Sequence, residues 1–255
     1  MSIANVQGKA VLVVGGSRGI GRAIADRFAE LGAEVGLTAR SADTASEVAS
    51  SIAEAHGRPV SGHALDVTDR ARIREVVEEF GPHPGVPDVL VYNAGISPVY
   101  ASAEKVEEDD WDAIIATNLT GAFLAAQAFA RRLIPEGRPG SVVLIGSINS
   151  IVGDPRLVAY TASKAGLAGM SKTLSLDWAR YGIRVNTVAP GYVATDLTSG
   201  LQQNEGLKKA ITDRTPLDRM AEPAEIADLV VFLASDSSSF ITGAVYPLDG
   251  GWTTW

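Results

Sequence analysis

The apolar run Ala10-Val-Leu-Val-Val14, the turn Gly15-Gly-Ser-Arg-Gly-Ile-Gly21 and the amphipathic stretch Arg22-Ala-Ile-Ala-Asp-Arg-Phe-Ala-Glu-Leu31 follow one another without a gap. An unbroken apolar run predicts a strand buried on both faces, as in a parallel sheet covered by helices on either side. The rhythm repeats along the chain. Short apolar runs at Glu34–Thr38, Val60–Leu65, Val89–Tyr92, Ser141–Gly146, Arg184–Val188 and Val245–Leu248 alternate with helical stretches near Ile20–Leu31, Thr44–Ala55, Arg70–Phe80, Asp109–Ile134, Tyr160–Tyr181 and Ala224–Ala234. That alternation predicts βαβ units and an α/β fold, a single doubly wound domain over residues 1–255 whose seven-stranded sheet is mostly parallel, with helices on both faces. No linker or low-complexity run divides the chain.

A strand, a glycine turn and a helix start together form a phosphate site. Glycine lets the backbone turn sharply and approach the ligand, while the free N–H groups of the helix start meet its charge. The glycines at 15, 19 and 21 are spaced G-x-x-x-G-x-G rather than in the commoner G-x-G-x-x-G dinucleotide order. Three glycines alone can merely permit a tight loop, but their placement here reads as cofactor binding. The end of the second strand then bears on which cofactor. Ala39 and Arg40 stand where an acid would bind the ribose hydroxyls of NAD(H), and Arg18 lies inside the turn. Cations in place of the acid favour the extra phosphate of NADP(H), with NAD(H) as the alternative; ordinary surface arginines are the plain reading of both.

Tyr160 and Lys164 are four apart in the helix-favouring stretch Val158–Met170, so their side chains share one face. A phenol ionises near pH ~10, and a neighbouring ammonium should draw it down toward the working range. Ser147 closes the run Val142-Val-Leu-Ile145, at the carboxyl end of a strand, where open α/β sheets bind ligands. Taken singly these are a packed ring, a solvated lysine tip and a cap or turn serine. Their coincidence with an upstream nucleotide turn points to proton transfer at a carbonyl.

Composition narrows the partners. A net charge of −8 and a pI near 4.9 disfavour nucleic acid or an anionic membrane. No continuous apolar run reaches the ~20 residues of a membrane span, and Met1–Gln7 lacks the pattern of a signal peptide. A cytoplasmic location is the expectation. The chain has no cysteine, which removes thiol chemistry, and His56, His63 and His83 show no metal-ligand spacing and are expected at the surface or in loops; no metal site is expected.

With these motifs in order, the chain resembles the classical short-chain dehydrogenase/reductase family nearly end to end, especially members similar to 3-oxoacyl-acyl carrier protein reductases. The resemblance implies a Rossmann-type fold, with a cofactor half over about residues 1–150 and a catalytic and substrate half over about 140–255. Cofactor contacts would come from Gly15, Ser17, Arg18, Gly19, Ile20 and Gly21, from Arg40 and Ser41, from Asp66 and Val67 beside the adenine, and from Asn93-Ala94-Gly95. Pro190, Gly191, Val193 and Thr195 would meet the nicotinamide end. The resemblance also implies a tetrad of Asn118, Ser147, Tyr160 and Lys164. Tyr160 is its general acid or base, Ser147 the hydrogen-bond donor to the substrate oxygen, and Lys164 the holder of the nicotinamide ribose; Tyr160 and Lys164 thus serve both chemistry and cofactor. Asn118 reads either as a water-binding relay or as a satisfied buried amide.

Two departures stand out. Val14 replaces the threonine usual before the turn, which should alter cofactor affinity, and Gly146-Ser147 replaces a pair of serines. The expected reaction is hydride transfer between NADP(H) and a ketone or secondary alcohol, the substrate a 3-oxoacyl thioester or similar ketone. The alternatives are a sugar, polyol or small secondary alcohol, and, outside catalysis, a nucleotide sensor. Residues 192–214 read as a mobile lid, with Tyr192, Val152 and the Ser97–Tyr100 loop lining the substrate pocket. Small residues in Gly121–Ala130 and Ala165–Gly169, with the family's habit, suggest a homotetramer, and the terminal Trp252 and Trp255 are expected to pack against a neighbouring subunit.

Overall fold

The computed structural model describes residues 5–80 and 87–254. His83 and Trp255 lie outside them. The chain alternates β1 (Ala10–Val14), α1 (Gly19–Glu30), β2 (Glu34–Ala39), α2 (Ala42–His56), β3 (Val60–Ala64), α3 (Arg70–Glu79) and β4 (Val89–Tyr92). It continues with α4 (Glu108–Ile115), α5 (Gly121–Leu133), β5 (Gly140–Ile145), α6 (Val158–Trp178), β6 (Ile183–Pro190), α7 (Ser199–Gln203), α8 (Glu205–Arg214), α9 (Pro223–Ala234) and β7 (Val245–Leu248). The strands form one sheet in the order β3-β2-β1-β4-β5-β6-β7, and every pairing is parallel.

The two-faced burial that the apolar runs predict is visible residue by residue. Along β1, Val11 and Val13 enter a core with Ile24, Phe28, Leu37, Ile226 and Val230, whereas Ala10, Leu12 and Val14 enter the opposite core with Ile73, Tyr92, Phe129 and Leu144. Each fully buried Leu, Ile or Phe contributes about 1.5–3 kcal/mol, so the sheet is held from both sides. Chain direction is set by local signals: Ser41 and Asp69 cap α2 and α3 through their side-chain oxygens, and Gly57 ends α2 at φ 63°.

The order reverses between β1 and β4, and the crevice beyond the carboxyl ends at such a switch point is where this architecture binds ligands. The ends of β1, β4, β5 and β6 carry Gly15, Asn93, Ser147 and Gly191 to that edge.

Three expectations need correction. The single helix expected over Asp109–Ile134 is α4 and α5 joined by a π-helical turn at Ala116–Thr120. With its flanks this run, Glu108–Glu136, has the length and composition of a membrane span, with mean hydropathy 1.4, yet half its apolar window is buried; Ala122, Ala126 and Phe129 pack in the core with Leu90 and Leu144. Residues 192–214, expected as a mobile lid with no helix assigned to it, hold α7 and α8, and His56 and His63, expected at the surface or in loops, lie in α2 and β3, both half-buried. There His56 Nε2 is 3.1 Å from Asp26 Oδ1, and His63 meets Phe80 edge-on.

Candidate active site

Gly15 and Gly19 adopt φ of 80° and 53°, left-handed conformations that side chains resist, and α1 starts at Gly19. A Cβ at Gly21 would run into the Gly15 carbonyl, so the turn closes on its own helix only with glycine. Asn93 holds it from below: Nδ2 donates to Gly15 O at 2.8 Å, while the Asn93 and Ala94 amides donate to Val14 O at 2.9 and 3.0 Å. The missing hydroxyl at position 14 is supplied from another strand, because Gly15 N donates to Thr38 Oγ1 at 3.0 Å. Sequence reasoning missed Thr38, a fully buried polar residue in an otherwise apolar strand; that mismatch was the only signal.

Around this turn stand the other expected cofactor residues. Arg18 is the exposed residue before α1, Ser17 and Ile20 are half-buried, and Ser41 begins α2. Arg40 is exposed and close enough to Asp66 to help hold its carboxyl below the usual range, chiefly an effect of the Thr68 amide and hydroxyl donating to Asp66 Oδ1 at 2.9 and 2.7 Å. Val67 is buried beside it. Across the cleft, Thr195 faces the turn: a Cβ on Gly19 would lie 3.4 Å from Thr195 Cγ2. Val193 is buried and bridges Ala221, and Gly191 N donates to Leu248 O at 3.0 Å beyond Pro190, the last residue of β6. These parts form a cradle at a helix N-terminus with room for backbone approach, which fits a dinucleotide.

The reacting end lies between β5 and α6. Tyr160 lies beside Ser147, close enough for the serine hydroxyl to favour its phenolate. Ser147 Oγ in turn donates to Asn149 Oδ1 at 3.1 Å and accepts from Asn149 N at 3.2 Å. Lys164 is buried, donates to Ile145 O at 2.8 Å, and its Nζ stands 5.7 Å from the centre of the Tyr160 ring. A Cβ on Gly95 would meet this ammonium at 3.4 Å and Asn118 Oδ1 at 3.5 Å, so the end of β4, the π-turn and α6 meet at one point.

The expected lowering of the tyrosine by the lysine is not what this arrangement produces. Burial pushes the Tyr160 phenol above its usual value, opposed only by the Ser147 hydroxyl. Lys164 is itself pulled down to about 8 by burial, and its proton-bearing nitrogen points to a carbonyl rather than the phenol. Asn118 makes three hydrogen bonds: Nδ2 donates to Ile96 O at 2.9 Å and Ser163 Oγ at 3.1 Å, and Oδ1 accepts from Ile96 N at 2.8 Å. Its side chain ties the chain after β4 to α6.

Over the site, Ile148, Ile211 and Trp252 form a small core with Val152, Tyr192, Leu201 and Met220. Trp252 packs within its own chain, edge-on to Tyr192 at 4.9 Å between ring centres, with the Arg214 guanidinium 4.3 Å over its ring. Its own chain thus buries it to 8% exposure. Tyr100, expected to line the pocket, is largely exposed beneath Arg156.

Known proteins match this geometry along their whole length. The family model described as enoyl-(acyl carrier protein) reductase matches residues 14–253. The chain belongs to the short-chain dehydrogenase/reductase family. It is 42% identical to a 3-oxoacyl-[acyl-carrier-protein] reductase of Thermotoga maritima, over 96% of this chain and 98% of the relative. It is 38% identical to a gluconate 5-dehydrogenase of Gluconobacter oxydans, over 98% of this chain and 96% of the relative. Among solved structures, a gluconate 5-dehydrogenase from Burkholderia cenocepacia in complex with NADP and tartrate superposes with a TM-score of 0.94 at 34% identity, covering both chains completely. Membership makes this chain an NAD(P)-dependent oxidoreductase acting on CH–OH groups.

Proposed function

We propose that the enzyme interconverts a ketone and a secondary alcohol with NADP(H), holding the substrate oxygen between the hydroxyls of Tyr160 and Ser147. The carrying observation is the approach of Tyr160 to Ser147 at the carboxyl end of β5, one helical turn from a buried lysine. A nicotinamide bound in the cradle supplies or accepts the hydride. Tyr160, whose raised phenol keeps its proton at neutral pH, donates it to the carbonyl oxygen in reduction and recovers it in oxidation. Ser147 turns its O–H to the same oxygen and stabilises the charge that develops there. Lys164 holds the ribose beside Gly95, the role that family resemblance assigns it.

Preference for NADP(H) rests on Arg40, exposed after β2 where an acid would favour NAD(H), and on Arg18 in the turn. NADP bound in solved relatives supports the same choice. For the substrate, the apolar wall of Ile148, Val152, Leu201, Ile211 and Met220 suits the chain of a 3-oxoacyl thioester. A sugar acid is the second reading, favoured by the Arg214 guanidinium at the same wall, which can receive a carboxylate. The working enzyme is a cytoplasmic homotetramer in this proposal. Half-exposed Trp111 and Phe123, and Leu176 and Phe240 at 80% and 103% exposure, are apolar surface that assembly would cover.

The test follows absorbance at 340 nm with NADPH and NADH against acetoacetyl thioesters, small diketones and keto-gluconates. Turnover of a thioester with NADPH supports the leading reading. Turnover confined to keto-gluconates moves the substrate to the second, and a preference for NADH overturns the cofactor assignment.

A further inference from the structure

Ser147 Oγ has one hydrogen and two lone pairs, and Asn149 engages the hydrogen and one lone pair. The hydrogen goes to Asn149 Oδ1 at 3.1 Å and a lone pair accepts Asn149 N at 3.2 Å, with Tyr160 beside the same hydroxyl. Asn149 is itself buried, at 4% exposure, and its Nδ2 donates to Thr161 Oγ1 at 3.0 Å. Thr161 is the residue after Tyr160, so hydrogen bonds run from Ser147 through Asn149 to Thr161, and the α6 backbone and the Ser147–Tyr160 approach close a ring. The Ser147 amide, fixed by Ser150 Oγ at 3.3 Å, anchors the ring to the turn after β5.

We propose that Asn149 is a positioning residue for catalysis, acting through Ser147: its amide oxygen parks the serine proton until a substrate oxygen arrives, and its bond to Thr161 keeps that oxygen, not the amide nitrogen, turned toward the serine. The inference rests on the reading of Ser147 and Tyr160 as the pair that receives the substrate oxygen.

The geometry suits a parking place. At 3.1 Å the serine-to-amide bond is long for O–H···O, whose usual length is about 2.7–2.8 Å, so the hydrogen is held in direction yet released cheaply to a better acceptor. A substrate oxygen gaining negative charge is such an acceptor. The two contacts from Asn149, one through its backbone amide and one through its side chain, leave the serine a single rotamer, and an error of ~1 Å at a reacting group costs on the order of 100-fold in rate. No proton leaves the ring when the bond switches, because Asn149 accepts and releases the same hydrogen bond without ionising.

The experiment measures kcat, KM, NADPH affinity by fluorescence and thermal midpoint for Asn149→Ala, Thr161→Val, Ser147→Ala and the double variant Ser147→Ala with Asn149→Ala, on the ketone that the wild type reduces fastest. We expect Asn149→Ala to lower kcat roughly 10- to 100-fold with NADPH affinity and thermal midpoint close to wild type. Thr161→Val should give a smaller loss of the same kind, and the second substitution should add nothing in the Ser147→Ala background. Unchanged kcat in both Asn149→Ala and Thr161→Val overturns the proposal. So does a full additional loss in the Ser147→Ala background, which would mean that Asn149 acts by another route. If Asn149→Ala does not fold, the Thr161→Val result decides. A wild-type protein that binds NADPH but reduces no ketone would instead sink the functional reading on which the inference stands.

Discussion

Thr38 Oγ1, in the second strand, accepts the amide hydrogen of Gly15 at 3.0 Å, so the first turn of the nucleotide site is tied sideways across the sheet. The Thr38 carbonyl takes the Gly16 amide as well, at 3.0 Å. Val14 therefore does not leave the turn loose, and the altered affinity that its side chain suggests is offset by its neighbour. Replacing Thr38 with the isosteric valine leaves one buried N–H without its partner, a cost of about 1–3 kcal/mol. NADPH dissociation measured by fluorescence should weaken about tenfold, with kcat at saturating cofactor little changed; Thr38→Ser should restore the affinity.

Tyr160→Phe keeps the ring and removes the phenolic proton beside Ser147. Ketone reduction should fall by a factor of roughly 10²–10⁴. NADPH titration of the same variant should stay near wild type, which separates lost chemistry from lost binding.

Lys164 predicts a pH dependence of stability. Its folded pKa, about 8, lies below the 10.5 of an unperturbed lysine. Between these values the unfolded chain binds the extra proton, so wild-type stability rises with pH there, and the cost of the buried charge is complete only below about pH 8. Lys164→Met has no such charge. Its stability advantage from burial should shrink by on the order of 2 kcal/mol between pH 7 and 9.5, read by chemical denaturation at both values.

Arg40→Glu places an acid after β2 beside the Asp66 carboxylate. NADPH should bind roughly 10- to 100-fold more weakly, the value of a charge-assisted contact, while NADH gains. Initial rates with each cofactor at limiting concentration read the reversal.

Trp252→Ala removes the ring that joins Tyr192 to Arg214. Helices α7 and α8, whose Leu201 and Ile211 share its cluster, lose that apolar support. Trypsin should cut after Lys208 and Lys209 several-fold faster than in the wild type, with the remainder of the chain resistant.

The sheet and most of the tetrad are legible in the sequence because the central strands are runs such as Val89–Tyr92 whose residues are all buried, and because Tyr160 and Lys164 stand on one helix. What escaped the sequence depends on partners distant along the chain. Thr38 answers Gly15, and Asn149 answers Thr161; neither spacing has a local period. The π-turn at Ala116–Thr120 keeps helical composition throughout, so its shift of register shows only in space. The tyrosine pKa was misread because spacing reports a neighbouring charge but not burial, and burial dominates. The helices α7 and α8 were missed because exposed, polar stretches such as Glu205–Lys209 carry no apolar stripe.

Val193 and Ala221 lie side by side in an isolated bridge, with Ala194 N donating to Ala221 O at 2.8 Å and Ala221 N to Tyr192 O at 2.9 Å. The covering segment thus leaves the framework and rejoins it at this clasp, and Leu217 N, donating to Gly250 O at 3.2 Å, ties it down a second time. Lengthening a loop closed in this way costs little, about 0.6 kcal/mol for each doubling. The stretch between the clasped residues can therefore vary in length and chemistry while the seven strands beneath keep their register.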